Sequence, residues 1–312
     1  DKELSIAMPA GFEIISKIMS PIVDNRLLVD ETGDPLVYMR NPDDPGDEYT
    51  VSSTTALEML NYIHIMNYDM VSAYSEENTR HHAPLYGYEG LSGDPASSIP
   101  GKEFLSKFNS HYAIQAYRYV HSDYTGFDPD NPVLDPVTGI AVIPASKLTF
   151  GVPMYGRGFK SVDSGSWDGY EGLFQFTDDS VRRRTPKGTW DGGKWGNTGV
   201  FGYWDLLLNY GGDQEAANNY IRRVSPPNTV RPYGPYITTG DLFIGFDDKE
   251  SLTDKINYLV EQDMAGIMFW DVTGDLSQAQ VHQGMNGAAA NYPAKSLIHH
   301  IAETLENHYQ SP

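Results

Sequence analysis

Apolar residues in this chain gather in short unbroken runs, and between the runs they recur every three or four positions. LSIAMPAG (4–11) is a run closed by proline and glycine and predicts a buried strand. YIHIMNY (62–68), KLTFGVPMYG (147–156) and AGIMFWDV (265–272) predict three more. Helical spacing falls between them. Residues 12–23 are compatible with a helix, and STTALEML (53–60) with a capped turn or two. Over 102–121, Phe104, Phe108 and Tyr112 recur at i+4, with Leu105 and Tyr117 near the same face. DKESLTDKINYLVEQD places Leu252, Ile256 and Leu259 on one stripe, and AKSLIHHIAETLENHY does so with Leu297, Ile301 and Leu305. Turn chemistry fills 24–50, which holds NPDDPGDE at 41–48; 70–100 and 122–140 read as loops. Residues 158–246 lack long helical periodicity and carry Trp167, Trp190, Trp195 and Trp204 among many glycines, so an inserted α+β module is predicted there. Wholly apolar strands alternating with helices make the rest an α/β fold with a parallel sheet.

Bulk composition narrows the function. The 312 residues suffice for one large domain, or one with a smaller insert. Lys+Arg 22 against Asp+Glu 42 leaves a net charge of −20, which repels phosphate backbones and anionic membranes. We therefore expect no nucleic acid and no membrane among its partners; a neutral polysaccharide meets no such barrier. Cysteine is absent, so there is no disulfide framework, thiolate nucleophile or cysteine-ligated zinc. A large core can do without disulfides, so secretion stays open. No apolar run reaches the ~18 residues of a membrane span. The chain opens almost inside a strand, so we expect the natural N-terminus to lie upstream.

In parallel β/α folds the working residues sit at the C-terminal ends of strands. The second predicted strand ends on Met66, Tyr68 and Asp69, the third on Met154, Tyr155 and Arg157, and the fourth on Trp270 and Asp271. Aromatic faces beside hydroxyls and charges suit a sugar ring, which has an apolar face and a polar edge. Each residue has a plainer reading too. Tyr68 can be a core residue that reaches its hydroxyl to water. Arg157 can pair with Asp69, and Trp270 can be core. The four tryptophans of 158–246 are expected mainly in the core of the insert. His81–His82 and His299–His300 are expected in solvent, with no metal site. The acidic run 43–48 reads as a solvated loop.

These segments resemble glycoside hydrolase family 18 chitinases. YIHIMNYDM resembles the family's M-x-Y-D strand, and KLTFGVPMYGRGF the following strand, which commonly reads G-x-P-x-Y-G-R. GDLFIGFDDKESLTDKINYLVEQDMAGIMFWDVTGD resembles the family's last helix and strand, and HAPLYG (82–87) and GTW (188–190) are similar as well. The likeness runs from about residue 3 to 308, with unusual insertions near 24–50 and 122–140. It implies a (β/α)8 TIM barrel of which this chain supplies the C-terminal half, strands five to eight, with an α+β insertion after the seventh. Expected domains are 1–157 with strands five to seven, 158–246 as the insertion, and 247–312 with the last helix, strand eight and a terminal helix.

The resemblance also implies chemistry. Family members hydrolyse β-1,4-linked N-acetylglucosamine polymers without a cofactor, and the substrate's own N-acetyl oxygen attacks the anomeric carbon. Tyr68 would donate to that oxygen and Asp69 would orient the sugar and neighbouring acids. Trp270 would form the floor of the reactive subsite, with Tyr155 and Arg157 lining it and Met66 packed alongside. The family's general acid is a Glu ending D-x-x-D-x-D-x-E, a pattern the 312 residues do not contain. The expectation is therefore a secreted, extracellular hydrolase whose acid, and the first half of whose barrel, lie upstream or on a second chain; without them Asp271 would have to serve as acid. A chitinase-like lectin without catalysis and a chitinase-like subunit of a toxin-type assembly are the alternatives.

Overall fold

The computed structural model describes residues 3–10, 60–87 apart from 76, 108–119, 143–210 apart from 168 and 192–195, 234–276 and 295–310, with residue 130 and short strand pairs at 28–29 with 35–36, 38–39 with 50–51, and 220–221. The expected helices at 12–23 and 53–60, and the acidic run 43–48, lie outside the described residues, apart from Leu60.

Four strands form a parallel sheet: β1 (Ser5–Pro9), β2 (Tyr62–Met66), β3 (Leu148–Pro153) and β9 (Gly266–Trp270), in the order β1-β2-β3-β9. These are the four predicted strands in their predicted order. Alternation gives the sheet two unlike faces. Ile63, Ile65, Leu148, Phe150 and Val152 are fully buried, in one cluster with residues of α1 (Ser110–Arg118), α3 (Lys249–Glu261) and α4 (Leu297–Gln310). Leu252, Ile256, Leu259, Leu297 and Ile301 sit in that core as their spacing predicts, while Leu305 packs against it half-buried. The register puts His64 beside Thr149 on the opposite face, where His64 Nδ1 and Thr149 Oγ1 are 2.7 Å apart.

Two expectations need correction. The run 4–11 is not a buried strand: Leu4 is 50% and Ile6 41% exposed, and only Met8 on β1 is buried. The run is apolar enough for an interior, but among the described residues β1 has β2 alone as neighbour, which leaves its other side uncovered. The strand expected over 147–156 also breaks in two. β3 ends at Pro153, and β4 (Tyr155–Phe159) belongs to a second, antiparallel sheet. That sheet contains β5 (Val200–Gly202), β6 (Tyr220–Ile221), β7 (Tyr236–Thr239) and β8 (Leu242–Gly245), in the order β5-β4-β8-β7-β6, with α2 (Tyr203–Asn209) following β5. Buried Met154 is the corner. Its N–H donates to the Trp270 carbonyl at 2.8 Å and its carbonyl accepts from Tyr203 N–H at 3.1 Å. Gly274 presses on that corner so closely that a Cβ there would lie 2.2 Å from the Met154 carbonyl oxygen. The second sheet thus starts at Tyr155, three residues before the expected start of the insert.

A buried ion pair ties the sheets to the loop after β2. Lys255 of α3 donates to Asp247 Oδ2 at 2.5 Å and to the Ala83 carbonyl at 2.7 Å, and Asp247 Oδ1 accepts from Ser251 Oγ at 2.9 Å. Neither charged side chain reaches solvent. The Ser110 and His111 N–H groups at the start of α1 donate to the carbonyls of Pro84 and Leu85, each at 2.9 Å. Residues 82–85 are thus clamped from both ends. Removing one member of a buried pair strands the other charge and costs roughly 3–5 kcal/mol. Asp247→Ala should lose stability on that scale in a urea titration, and Asp247→Ala with Lys255→Met should recover part of it. A single variant as stable as the parent would contradict the pairing.

Candidate active site

The site begins where β2 stops. After Met66 the chain runs through Asn67 and Tyr68 and turns at Asp69, whose φ of 60° is left-handed. Aspartate tolerates that conformation better than most residues, and the turn aims its carboxylate at β4. Tyr155 O–H donates to Asp69 Oδ1 at 2.8 Å, Arg157 Nε donates to the same oxygen at 2.7 Å, and an Arg157 terminal nitrogen donates to Oδ2 at 2.5 Å. This is a two-pronged guanidinium–carboxylate fork between two sheets. The structural ion pair considered for Arg157 is therefore present, and it is part of the site.

Electrostatics follow from these contacts. Burial pushes the Asp69 carboxyl upward, but His82 and the Arg157 fork outweigh it and hold the group well below the usual carboxylate range. His82 Nδ1 stands 3.7 Å from Asp69 Oδ1, beyond hydrogen-bond reach, so it acts here as a nearby donor and not as a made bond. Burial opposes the Arg157 charge, yet Asp69 raises its pKa further. The Tyr68 hydroxyl is pushed up to about 12 by burial and by the Asp69 charge, so at neutral pH it is a neutral donor. Its O–H points at Met268 Sδ, 3.9 Å away, a weak acceptor that a better one can replace. The Tyr68 and Tyr155 rings meet edge to face at 6.1 Å.

Met66, Val200 and Met268 pack around Tyr68, Ala83 and Tyr155. Five of the six expected residues, Met66, Tyr68, Asp69, Tyr155 and Arg157, thus lie in one cluster. The sixth, Trp270, stands two residues beyond Met268 on β9, opposite Pro153, with 58% of its surface exposed. Among the described residues β9 has β3 as its one sheet neighbour, which leaves the Trp270 ring uncovered. Asp271 Oδ1 accepts from Thr273 N–H at 2.8 Å and from the Thr273 hydroxyl. Among the described residues, the carboxylate bonded within the cluster is Asp69, and it is held ionised.

The histidine expectation was wrong in one instance. His81 and His82 are buried at 3% and 1% exposure, and the His82 ring lies 5.5 Å from the Tyr155 ring. The clamp on 82–85 and the close passage of β8, where a Gly245 Cβ would lie 3.4 Å from His81 Cα, bury them. His299 is exposed as expected, while His300 is half-buried against Thr253 Oγ1 at 2.8 Å. Of the tryptophans, Trp167 is core, Trp204 is half-buried, Trp190 is 50% exposed, and Trp195 lies outside the described residues. Among the described residues no group of three His, Cys, Asp or Glu side chains is placed to hold a metal ion.

Helices over one face of a parallel sheet, with a polar and aromatic cluster at its C-terminal rim, define a TIM-barrel-like α/β protein. Solved structures share this layout. A chitinase, ChiA74, from Bacillus thuringiensis superposes over 98% of this chain and 36% of its own, with TM-score 0.61 at 22% identity. Human YKL-39, described as a pseudo-chitinase with retained chitooligosaccharide binding, covers 80% of this chain and 52% of its own, with TM-score 0.51 at 16% identity. In sequence, Chitinase A1 of Niallia circulans is 30% identical over 217 residues, 70% of this chain and 24% of that protein. The family model of glycosyl hydrolases family 18 matches residues 28–275, and this chain belongs to that family. It spans a quarter of the length of the Niallia relative.

The fork makes a pH prediction. The folded pKa of Asp69 lies below its unfolded value of ~3.9, so the stability it adds is fully present above that value and is lost as pH falls toward the folded one. The Asp69 carboxyl carbon should therefore hold one NMR shift between about pH 7 and pH 3.5, a range that includes the ordinary carboxylate value of ~3.9. An inflection inside that range would show that the fork is not made.

Proposed function

We propose that this chain forms the acetamido-binding side of a secreted glycosidase that cleaves β-1,4-linked N-acetylglucosamine polymers with retention, by substrate-assisted catalysis. In this reading the four parallel strands are strands five to eight of a (β/α)8 barrel and the antiparallel sheet is the insertion, starting near Tyr155 and not at 158. Strands one to four and a proton-donating Glu would come from polypeptide outside these 312 residues, covalently attached or on a second chain. One observation carries the reading: a neutral Tyr68 hydroxyl, bonded among the described residues only to a thioether, stands beside a carboxylate held in its ionised form.

Each role follows from that pairing. The Tyr68 O–H donates to the acetamido oxygen and holds it where it can attack the anomeric carbon. Positive charge then grows on the oxazolinium ring, and ionised Asp69 stabilises it without accepting a proton. His82 and Arg157 keep Asp69 ionised, Tyr155 helps fix its direction, and Arg157 closes one wall. Trp270 offers an exposed indole as the floor, and Met66 packs beneath Tyr68. Asp69 is the wrong group for the acid step, because a carboxyl held this low has no proton to give near neutral pH. A second reading, oligosaccharide binding without hydrolysis, is favoured by the likeness to YKL-39.

The test uses the longest natural polypeptide that contains this chain and N-acetylglucosamine oligomers. Hydrolysis supports the enzyme, binding without hydrolysis supports the lectin, and neither overturns both. In an active protein Tyr68→Phe should lower kcat by about 10²–10³-fold with little change in KM, the loss typical of one donor to a developing charge. Unchanged kcat would remove Tyr68 from the mechanism. Trp270→Ala should weaken oligomer binding at least about tenfold while a thermal melt still shows a folded protein. A collapse of the melt with unchanged affinity would make Trp270 structural.

A further inference from the structure

His82 is buried, yet among the described residues neither of its ring nitrogens has a hydrogen-bond partner. Buried polar groups are bonded in the great majority of cases, and an exception calls for a reason. Its surroundings supply one. The ring rests against Tyr155, and Nδ1 faces Asp69 Oδ1 at 3.7 Å. That oxygen already accepts from both the Tyr155 hydroxyl and Arg157 Nε. A carboxylate oxygen has about two lone-pair positions, so Oδ1 is full and His82 is held one place back. A movement of about 0.8 Å would bring Nδ1 to an ordinary hydrogen-bond distance. The backbone here is fixed, since Met70 N–H donates to the His82 carbonyl at 2.9 Å and Lys255 to the next carbonyl, so the movement would be a tilt of the ring.

We propose that His82 is the reserve partner of Asp69, a positioning residue whose Nδ1–H closes on Oδ1 when Tyr155 or Arg157 is drawn away. A ligand that accepts a hydrogen bond from either donor would otherwise leave the carboxylate underbonded and free to swing. With His82 in place Asp69 keeps its orientation and its charge while Tyr155 or Arg157 turns to the ligand. That ligand is the N-acetylated oligosaccharide proposed above, so the ligand half of the inference rests on that reading. The exchange of donors does not, and it can be provoked without any ligand.

Tyr155→Phe removes one donor from Oδ1 and keeps the aromatic ring. In the ligand-free variant, imidazole NMR should show a His82 Nδ1–H that is shifted downfield and slow to exchange with water, a signal absent from the parent. Adding an N-acetylglucosamine tetramer to the parent should produce the same signal. His82→Phe, which keeps a ring against Tyr155 but has no donor, should weaken tetramer binding about tenfold, and His82→Asn, which restores a donor, should recover most of the loss. Should Tyr155→Phe fail to fold, Arg157→Lys, which lacks the Nε donor but keeps the charge, gives the same readout. Identical His82 signals in the parent and in the folded variant would mean that water takes the vacated position, and would overturn the proposal. A parent that shows no response to the tetramer, beside a variant that gains the signal, would overturn the oligosaccharide reading and leave the exchange standing.

Discussion

The Asp69 carboxylate is where two sheets of different kind are joined. It leaves the end of a parallel strand and is gripped by Tyr155 and Arg157, which belong to the antiparallel sheet. Most of what the site can do depends on that grip. It fixes the direction of the carboxylate and keeps it ionised. Burial raises the neighbouring phenol of Tyr68, and the fixed negative charge of Asp69 raises it further, because a proton is harder to lose beside it. Burial alone would push Asp69 toward protonation, and the Arg157 fork together with nearby His82 outweighs it.

Larger features of the fold serve the same juncture. The corner at Met154 carries the chain from one sheet to the other within a single residue, so Tyr155 enters the second sheet next to the rim of the first. Lys255 and Asp247 secure the loop that brings His82 beneath Tyr155. The family's mechanism asks for a group that gives a proton and a group that keeps a charge. Held ionised, Asp69 is suited to keeping a charge and not to giving a proton, and the pattern D-x-x-D-x-D-x-E is not in these 312 residues.

Strand ends were legible in the sequence because the chemistry sits next to an apolar run: Met66, Tyr68 and Asp69 follow YIHI directly, and Trp270 follows GIMF. Helical stripes were legible for a similar local reason, since Leu252, Ile256 and Leu259 share one face. The break at Met154 was not, because Val152, Met154 and Tyr155 are all buried and nothing in the run marks a change of sheet. His82 was misread because its burial is non-local: residues 81–82 are covered by β8, more than 150 positions away, and by a lysine from α3. The apolar run 4–11 is exposed because β1 has β2 alone as described neighbour, which composition does not reveal.

The central claim is that Tyr68 and Asp69 form a site for an acetamido group. Calorimetry on the longest natural polypeptide containing this chain tests it directly, with N-acetylglucosamine and fully deacetylated glucosamine oligomers of equal length compared. Salt at about 0.5 M should screen the general attraction of an acidic surface for the cationic oligomer. The account predicts that the acetylated oligomer binds at least about 100-fold more tightly, roughly the discrimination expected when a buried donor loses its acceptor, and that Tyr68→Phe removes most of the difference. Equal affinity for the two oligomers, or a difference that survives Tyr68→Phe, would contradict it.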